Sequence, residues 1–140
     1  MSKPCPFCAI AQGELPASVV SRTDSLIAFL DARPVFEGHV LVVPRAHIDD
    51  WEAMPEELAG PLFLEGRRIA RAQQKALGAQ GAFVALNHRV SQSVPHLHLH
   101  VVPRKKGDGL RGFFWPRVSY AGDARRDEVA ALLAAALDPR

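Results

Sequence analysis

Three histidines alternate with apolar residues in His96-Leu97-His98-Leu99-His100-Val101-Val102. Side chains alternate faces along a strand, so the histidines share one face while Leu97, Leu99 and Val101 take the other. Burying the leucine face seats the strand in a sheet. The imidazoles then line the opposite face at steps of about 6.6 to 6.8 Å. Three adjacent buried histidines would each need hydrogen-bond partners, and packing supplies no reason for them. Two such rings can chelate one metal, but the outer pair lie about 13 Å apart and do not share an ion easily. The three rings therefore have different jobs. A neutral imidazole is a good nucleophile near pH 7, since its ordinary pKa is about 6.5. Attack on phosphorus would give a covalent intermediate and split one hard displacement into two easier ones. That chemistry requires the middle ring to stand open to solvent with a free nitrogen.

The neighbouring residues suit an anion. Asn87 and Ser91-Gln92-Ser93 can donate hydrogen bonds to oxyanions. From Gly66 to Gly107 the chain has no Asp or Glu, yet it holds Arg67, Arg68, Arg71, Lys75, Arg89, Arg104, Lys105 and Lys106. Such a stretch is either a solvated basic helix face or one side of a cleft that attracts negative charge. No carboxylate lies close in sequence to hold magnesium, and there is no Walker-type glycine loop. The set fits a phosphate group without an obligatory metal.

These residues need a scaffold, and the hydrophobic pattern supplies one. Cys5 to Gln12 reads as a short helix ending at Gly13. Ser18 to Arg22 and Leu26 to Leu30 read as strands around a Thr23-Asp24-Ser25 turn, followed by strands at His39 to Val43, Gly81 to Asn87 and His96 to Val102. A long helix is expected from Pro55 to Leu77, capped by Gly78, with Leu58, Leu62, Ile69, Ala72 and Ala76 on its buried face. A C-terminal helix is expected behind an N-cap at Asp123, with Val129, Leu132, Leu133, Ala136 and Leu137 at helical spacing. Strands interspersed with helices, without regular βαβ alternation, predict an α+β fold with a mainly antiparallel sheet of about five strands. Lys105 to Pro116, rich in glycine and proline, is the expected mobile loop.

Composition bounds the rest. The 140 residues suit a single domain spanning 1–140. Apolar content of 48% and charged content of 23% are ordinary for a globular protein, which excludes extensive disorder. A formal charge of +2 is too weak by itself to indicate a nucleic-acid binder. The longest apolar run, Val129 to Leu137, is too short to span a membrane. Without a secretory signal, a cytoplasmic location with reduced cysteines is expected.

The segment from Gln92 through the three histidines to Pro103-Arg104 resembles the signature of the histidine triad superfamily of nucleotide hydrolases and transferases. Cys5-Pro6-Phe7-Cys8, Phe29-Leu30-Asp31 with Pro34, and Gly38-His39 leading into Val43-Pro44-Arg45 and His47 extend the resemblance over about Cys5 to Arg104. It implies that family's α+β fold and a homodimer in which two subunits join their sheets. It also implies hydrolysis of a purine nucleotide conjugate at the α-phosphorus through a nucleotidylated histidine, as a phosphoramidase or a dinucleoside polyphosphate hydrolase. By the resemblance His98 takes the nucleophile's place and His100 contacts the phosphate. Gln92 and Ser93 match positions that bond phosphate oxygens or the leaving group. Asp31 matches the acid that grips ribose hydroxyls, its alternative being a strand-end turn acid. His39 matches a histidine near the nucleotide, or else is a satisfied core residue. The loop His88-Arg89-Val90-Ser91 departs from the family pattern, being shorter and without glycine. Asn87 then holds its family role loosely, and Arg89 is a candidate phosphate contact in its place.

Cys5 and Cys8 have the spacing of a zinc knuckle or a redox pair, and they are also compatible with two unliganded thiols. No strand precedes them as a redox motif requires. A closed zinc site needs two more ligands. In zinc-bearing bacterial members of the family the positions of His47 and His96 complete the set, which implies a structural Zn²⁺. Finally, Arg104, Lys105, Lys106, Arg111 and Arg117 surround Phe113, Phe114 and Trp115. That mixture could bind single-stranded nucleic acid, or be a solvated loop whose aromatics pack on the core or across a dimer, or resemble the C-terminal tryptophan segment that in some family members borders the partner's active site. A non-catalytic nucleotide sensor is the alternative to an enzyme, with an RNA-interacting protein further behind.

Overall fold

The computed structural model describes residues 4–111 and 117–139. These fall into two compact units, divided between Asp108 and Gly109. The first contains α1 (Pro6–Ala11), β1 (Val19–Arg22), β2 (Leu26–Leu30), β3 (Val40–Pro44), α2 (Glu56–Leu77), β4 (Gly81–Ala85) and β5 (Leu99–Arg104); the second contains α3 (Asp123–Ala136). The strands make one five-stranded sheet in the order β1-β2-β3-β5-β4, antiparallel throughout. The fold is α+β, as the sequence predicts.

Alternation along each strand divides the core. Leu26, Ala28, Val40, Val42, Leu97, Leu99 and Val101 face α2, where they meet Leu58, Leu62 and Ile69. Ile27, Phe29, Leu41 and Val43 face the other way and pack with Phe7, Ile10 and Ala11 of α1. A sheet covered on both faces needs apolar residues at consecutive positions, which explains the unbroken runs in β2 and β3. In β5 the face opposite α2 carries histidine instead.

The buried face of α2 differs from the expected one. Ala72 and Ala76 are exposed, while Leu58, Leu62, Glu65, Gly66, Ile69 and Gln73 are buried. Steps of three and four from Leu62 lead to 65, 66, 69 and 73, so geometry admits polar residues where apolar ones were expected. Gln73 is accommodated because its Nε2 donates to the carbonyls of Gly38 and Val101, at 2.8 and 2.9 Å. Gly66 is required by closeness, since a Cβ there would lie 2.8 Å from Leu99 Cδ2. This contact sets β5, which carries His100 and directly follows His98, against the long helix.

Glu65 ties α2 to β1. Its carboxylate accepts from the Ser21 hydroxyl at 2.9 Å and from Arg68 at 2.6 Å. Burial pushes the Glu65 carboxyl up, but the hydrogen bonds from Arg68 and Ser21 and the Arg68 charge outweigh it, leaving the group below its ordinary value. A lowered folded-state pKa means that this stabilisation is complete above the ordinary carboxylate range and disappears as pH falls through the lowered value. Glu65→Gln is expected to destabilise the protein by about 1–3 kcal/mol at pH 7. In urea unfolding the gap between variant and parent should close on acidification.

Strand boundaries also shift. β5 starts at Leu99 rather than His96, because Leu97 N–H donates to the Ile48 carbonyl instead of continuing the ladder. The start of the expected mobile loop is clamped: Asp108 accepts from Arg104 and from Lys105 N–H, and Lys106 N–H donates to Gln80. In the second unit the cap of α3 is Gly122, and Asp123 is its first helical residue. Leu132, Leu133 and Leu137 are exposed. Phe113, Phe114 and Trp115 lie outside the described residues. No helix among the described residues is long and apolar enough to cross a membrane.

Candidate functional site

The alternation that divides the core also places the histidines. Leu97, Leu99 and Val101 are in the α2 core, whereas the rings of His96 and His98 contact Phe7 of α1, with centroids 5.8 and 5.1 Å away. The rings of His98 and His100 are 5.0 Å apart. His98 is only 4% exposed, so it does not stand open to bulk solvent as expected. It opens instead onto a cavity of about 990 Å³. Phe7, Ile10, Leu15, Phe29 and Leu41 give this cavity an apolar wall, and Asp31, Arg33, Ser93, His98 and His100 give it polar groups.

Hydrogen bonds fix the proton positions on the rings. His98 Nδ1–H donates to the carbonyl of His96 at 2.7 Å. Its Nε2 is therefore the nitrogen with the lone pair. Val35 N–H donates to His39 Nδ1 at 3.1 Å, so His39 carries its proton on Nε2 and donates it to His100 Nδ1 at 3.0 Å. His100 must then carry its own proton on Nε2. The Val35 backbone amide thus sets the tautomer of a cavity-lining ring through one intermediary. Burial, reinforced by the neighbouring His98 and His39, pushes His100 down to about 4, so it is neutral near pH 7. Burial likewise lowers His39 against the opposing charge of Asp31.

On the same side of the sheet His96 turns toward α1. Its Nε2–H donates to the Pro44 carbonyl at 2.8 Å, which leaves Nδ1 facing Cys5 Sγ at 3.3 Å and Cys8 Sγ at 3.5 Å. His47 repeats the device: Nε2–H donates to Asp49 Oδ1 at 2.7 Å, and Nδ1 faces Cys8 Sγ at 3.3 Å. One donor atom from each of Cys5, Cys8, His47 and His96 lies within 4.8 Å of the others. Both cysteines are free thiols. Two sulfurs and two imidazole lone pairs, each ring held through its far N–H, fit a tetrahedral metal site of the zinc type. Asp31, His39 and His100 also cluster. Their hydrogen bonds leave His39 without a free lone pair, so that group is a proton-ordering chain rather than a metal site.

The HIT domain matches residues 12–107 of this chain. The chain belongs to the HIT family. An uncharacterized HIT-like protein of Mycobacterium tuberculosis is 40% identical over 109 residues, covering 76% of each chain. The crystal structure of a HIT family member from Bacillus subtilis superposes with a TM-score of 0.85 at 30% identity, covering 99% of this chain and 100% of the other. A zinc-bound histidine triad protein from Mycobacterium smegmatis has a TM-score of 0.74 at 38% identity, covering 94% and 96%.

In this HIT protein the expected substrate-binding residues are not all brought to the cavity. Asp31, Ser93 and His100 line it with His98, while His39 sits behind His100. Asp31 Oδ1 accepts from Arg33 N–H at 2.9 Å, and Oδ2 lies 3.7 Å from His39 Nε2. Asn87, Arg89 and Gln92 are outside the lining. Asn87 Nδ2 donates to the Ser91 carbonyl, and Gln92 Nε2 donates to the Asp49 carbonyl. Arg89 is not placed as a phosphate contact. Its guanidinium is paired with Asp50 at 2.9 Å and Glu52 at 2.8 Å. Those acids come from outside the acid-free segment, as do the Glu65 and Asp108 partners of Arg68 and Arg104. None of the arginines and lysines of that stretch lines the cavity.

Arg89 and Ser91 also have left-handed backbone, with φ of 64° and 62°. Left-handed geometry costs a non-glycine residue about 1–2 kcal/mol, so the short glycine-free loop is held by its partners. Arg33 is the basic residue on the cavity wall, and sequence reading missed it. The available signal was its place two residues after Asp31.

Proposed function

We propose that this HIT protein is a nucleotidyl hydrolase that cleaves purine nucleotide conjugates at the α-phosphorus. One observation carries the reading: the His98 Nδ1–H bond to the His96 carbonyl leaves Nε2 bare on a cavity shared with Ser93 and His100. Nε2 attacks phosphorus, the bond to the leaving group breaks, and water then releases the nucleotide from His98. His100 Nε2–H donates to a phosphate oxygen, and the Ser93 hydroxyl donates to an oxygen or to the leaving atom. Asp31 accepts from ribose hydroxyls, and the apolar wall receives the base. His39 keeps the His100 proton on the side facing substrate. Gln92 and Asn87 act by shaping the loop that presents Ser93.

Zinc is the ion proposed for Cys5, Cys8, His47 and His96, where it would supply a structural cross-link between α1 and the histidine segment. The donor set and the zinc-bound mycobacterial relative support this. A homodimer is proposed as well, in which two subunits join their sheets through an edge strand, β1 or β4. A cytoplasmic location fits the reduced cysteines.

The function is tested by incubating the protein with an adenosine 5′-phosphoramidate and, separately, a diadenosine polyphosphate. AMP release from either is expected, and the ratio of the two kcat/KM values identifies the preferred leaving group. Binding of AMP with turnover of neither substrate would replace the hydrolase with a nucleotide sensor.

A further inference from the structure

The cluster of Cys and His donors and the loop before the histidines are joined by one short segment, residues 47–52. Asp49 lies at the junction. Its carboxylate accepts from His47 Nε2–H at 2.7 Å, and its backbone carbonyl accepts from Gln92 Nε2–H at 2.8 Å. One residue earlier, the Ile48 carbonyl accepts from Leu97 N–H, between His96 and His98. Beyond it, Asp50 and Glu52 hold Arg89. Gln92 in turn accepts from Arg89 N–H through Oε1 at 3.1 Å. The loop with two left-handed non-glycine residues is therefore tied at several points to a segment whose first residue belongs to the metal cluster.

We propose that Asp49 is a positioning residue that couples metal occupancy to the conformation of the 88–93 loop, and so to the placement of Ser93. The inference rests on the zinc reading above but not on the hydrolase reading. An ion drawing on His47 Nδ1 strengthens the Nε2–H bond to Asp49, because the far N–H of a ligating imidazole becomes a better donor. That fixes Asp49, and a fixed Asp49 presents its carbonyl to Gln92. Loss of the ion frees His47, which is already partly exposed, and the tie to the loop weakens. The left-handed backbone at Arg89 and Ser91 is strained, so a released loop relaxes into other backbone states.

The experiment uses the full chain, with zinc as the probe and no nucleotide. Zinc affinity is measured by competition with a chromophoric chelator for the parent, Asp49→Ala and Asp49→Asn. Alanine is expected to weaken binding by about 10–100-fold. Asparagine should restore most of it, because its Oδ1 still accepts from His47. Hydrogen exchange is then followed in the zinc-saturated proteins. Amides of residues 88–93 are expected to exchange about fivefold faster or more in Asp49→Ala than in Asp49→Asn, while β3 stays equally protected. Equal zinc affinity in all three proteins, equal loop exchange, or a parent that binds no zinc would each overturn the proposal. Because no substrate is used, failure of the hydrolase reading would be seen only in the AMP-release assay.

Discussion

His98→Ala is expected to lower kcat/KM for an adenosine phosphoramidate by about 10³-fold or more. The size follows from the chemistry: without Nε2 no covalent intermediate forms, and water must displace the leaving group directly. Each tenfold loss corresponds to about 1.4 kcal/mol of transition-state stabilisation, so the variant forgoes about 4 kcal/mol. Binding should suffer far less, since Asp31, Ser93, His100 and the apolar wall remain. AMP affinity within about tenfold of the parent, a difference of about 1.4 kcal/mol, is the expected companion result. The ring also packs on Phe7, so a thermal melt of the variant is needed to exclude collapse of α1 onto the cavity. Rapid quenching of the parent with substrate should trap a nucleotidyl group on His98. Turnover that survives the substitution would sink covalent catalysis, whatever the melt shows.

Stripping zinc is the second large effect. A structural ion present at about 1,000 times its dissociation constant stabilises the folded state by about 4 kcal/mol. For a chain of this size that corresponds to a fall in Tm of about 10 °C on chelation. The four donors join α1, which lies outside the α2 core, to the segment after β3 and the histidine segment. Local loosening should therefore precede global unfolding. Burial pushes the Cys8 thiol up, and hydrogen bonding and charge from Cys5 push it further, so metal uptake must displace a proton. Zinc affinity is accordingly expected to rise with pH over the neutral and mildly alkaline range. Chelator titration monitored by the melt, repeated at two pH values, checks both statements. A melt insensitive to chelator in protein shown to contain zinc would remove the structural role.

The shared side of the three histidines was legible because alternation along an extended segment puts them on one face. The structure bears out that face through the Phe7 contacts of His96 and His98 and the His98–His100 ring contact, and the HIT domain match spans the segment. The long helix was equally legible, since caps and acidic first turn are local signals. Its buried face was not. Ala72 and Ala76 yielded to Gln73 and Gly66 because close approach to β5 selects for fit and for carbonyl partners, which a hydrophobicity pattern does not record.

Charge was the least legible property. Arg89 stands in an acid-free stretch of sequence, yet Asp50 and Glu52 reach it across the fold. Coulomb attraction depends on distance in space, and residues far apart in the chain are invisible to a reading along it. The sequence by itself determined the alternation of faces along the histidine segment, the set of metal-type donors and the α+β class, because each rests on residue type and local period. Only the tertiary structure decided which ring nitrogens carry protons, that His98 faces a cavity rather than bulk water, and that Arg89 braces a loop. Those outcomes depend on a carbonyl, an amide or a carboxylate arriving from another element, and packing alone brings them there.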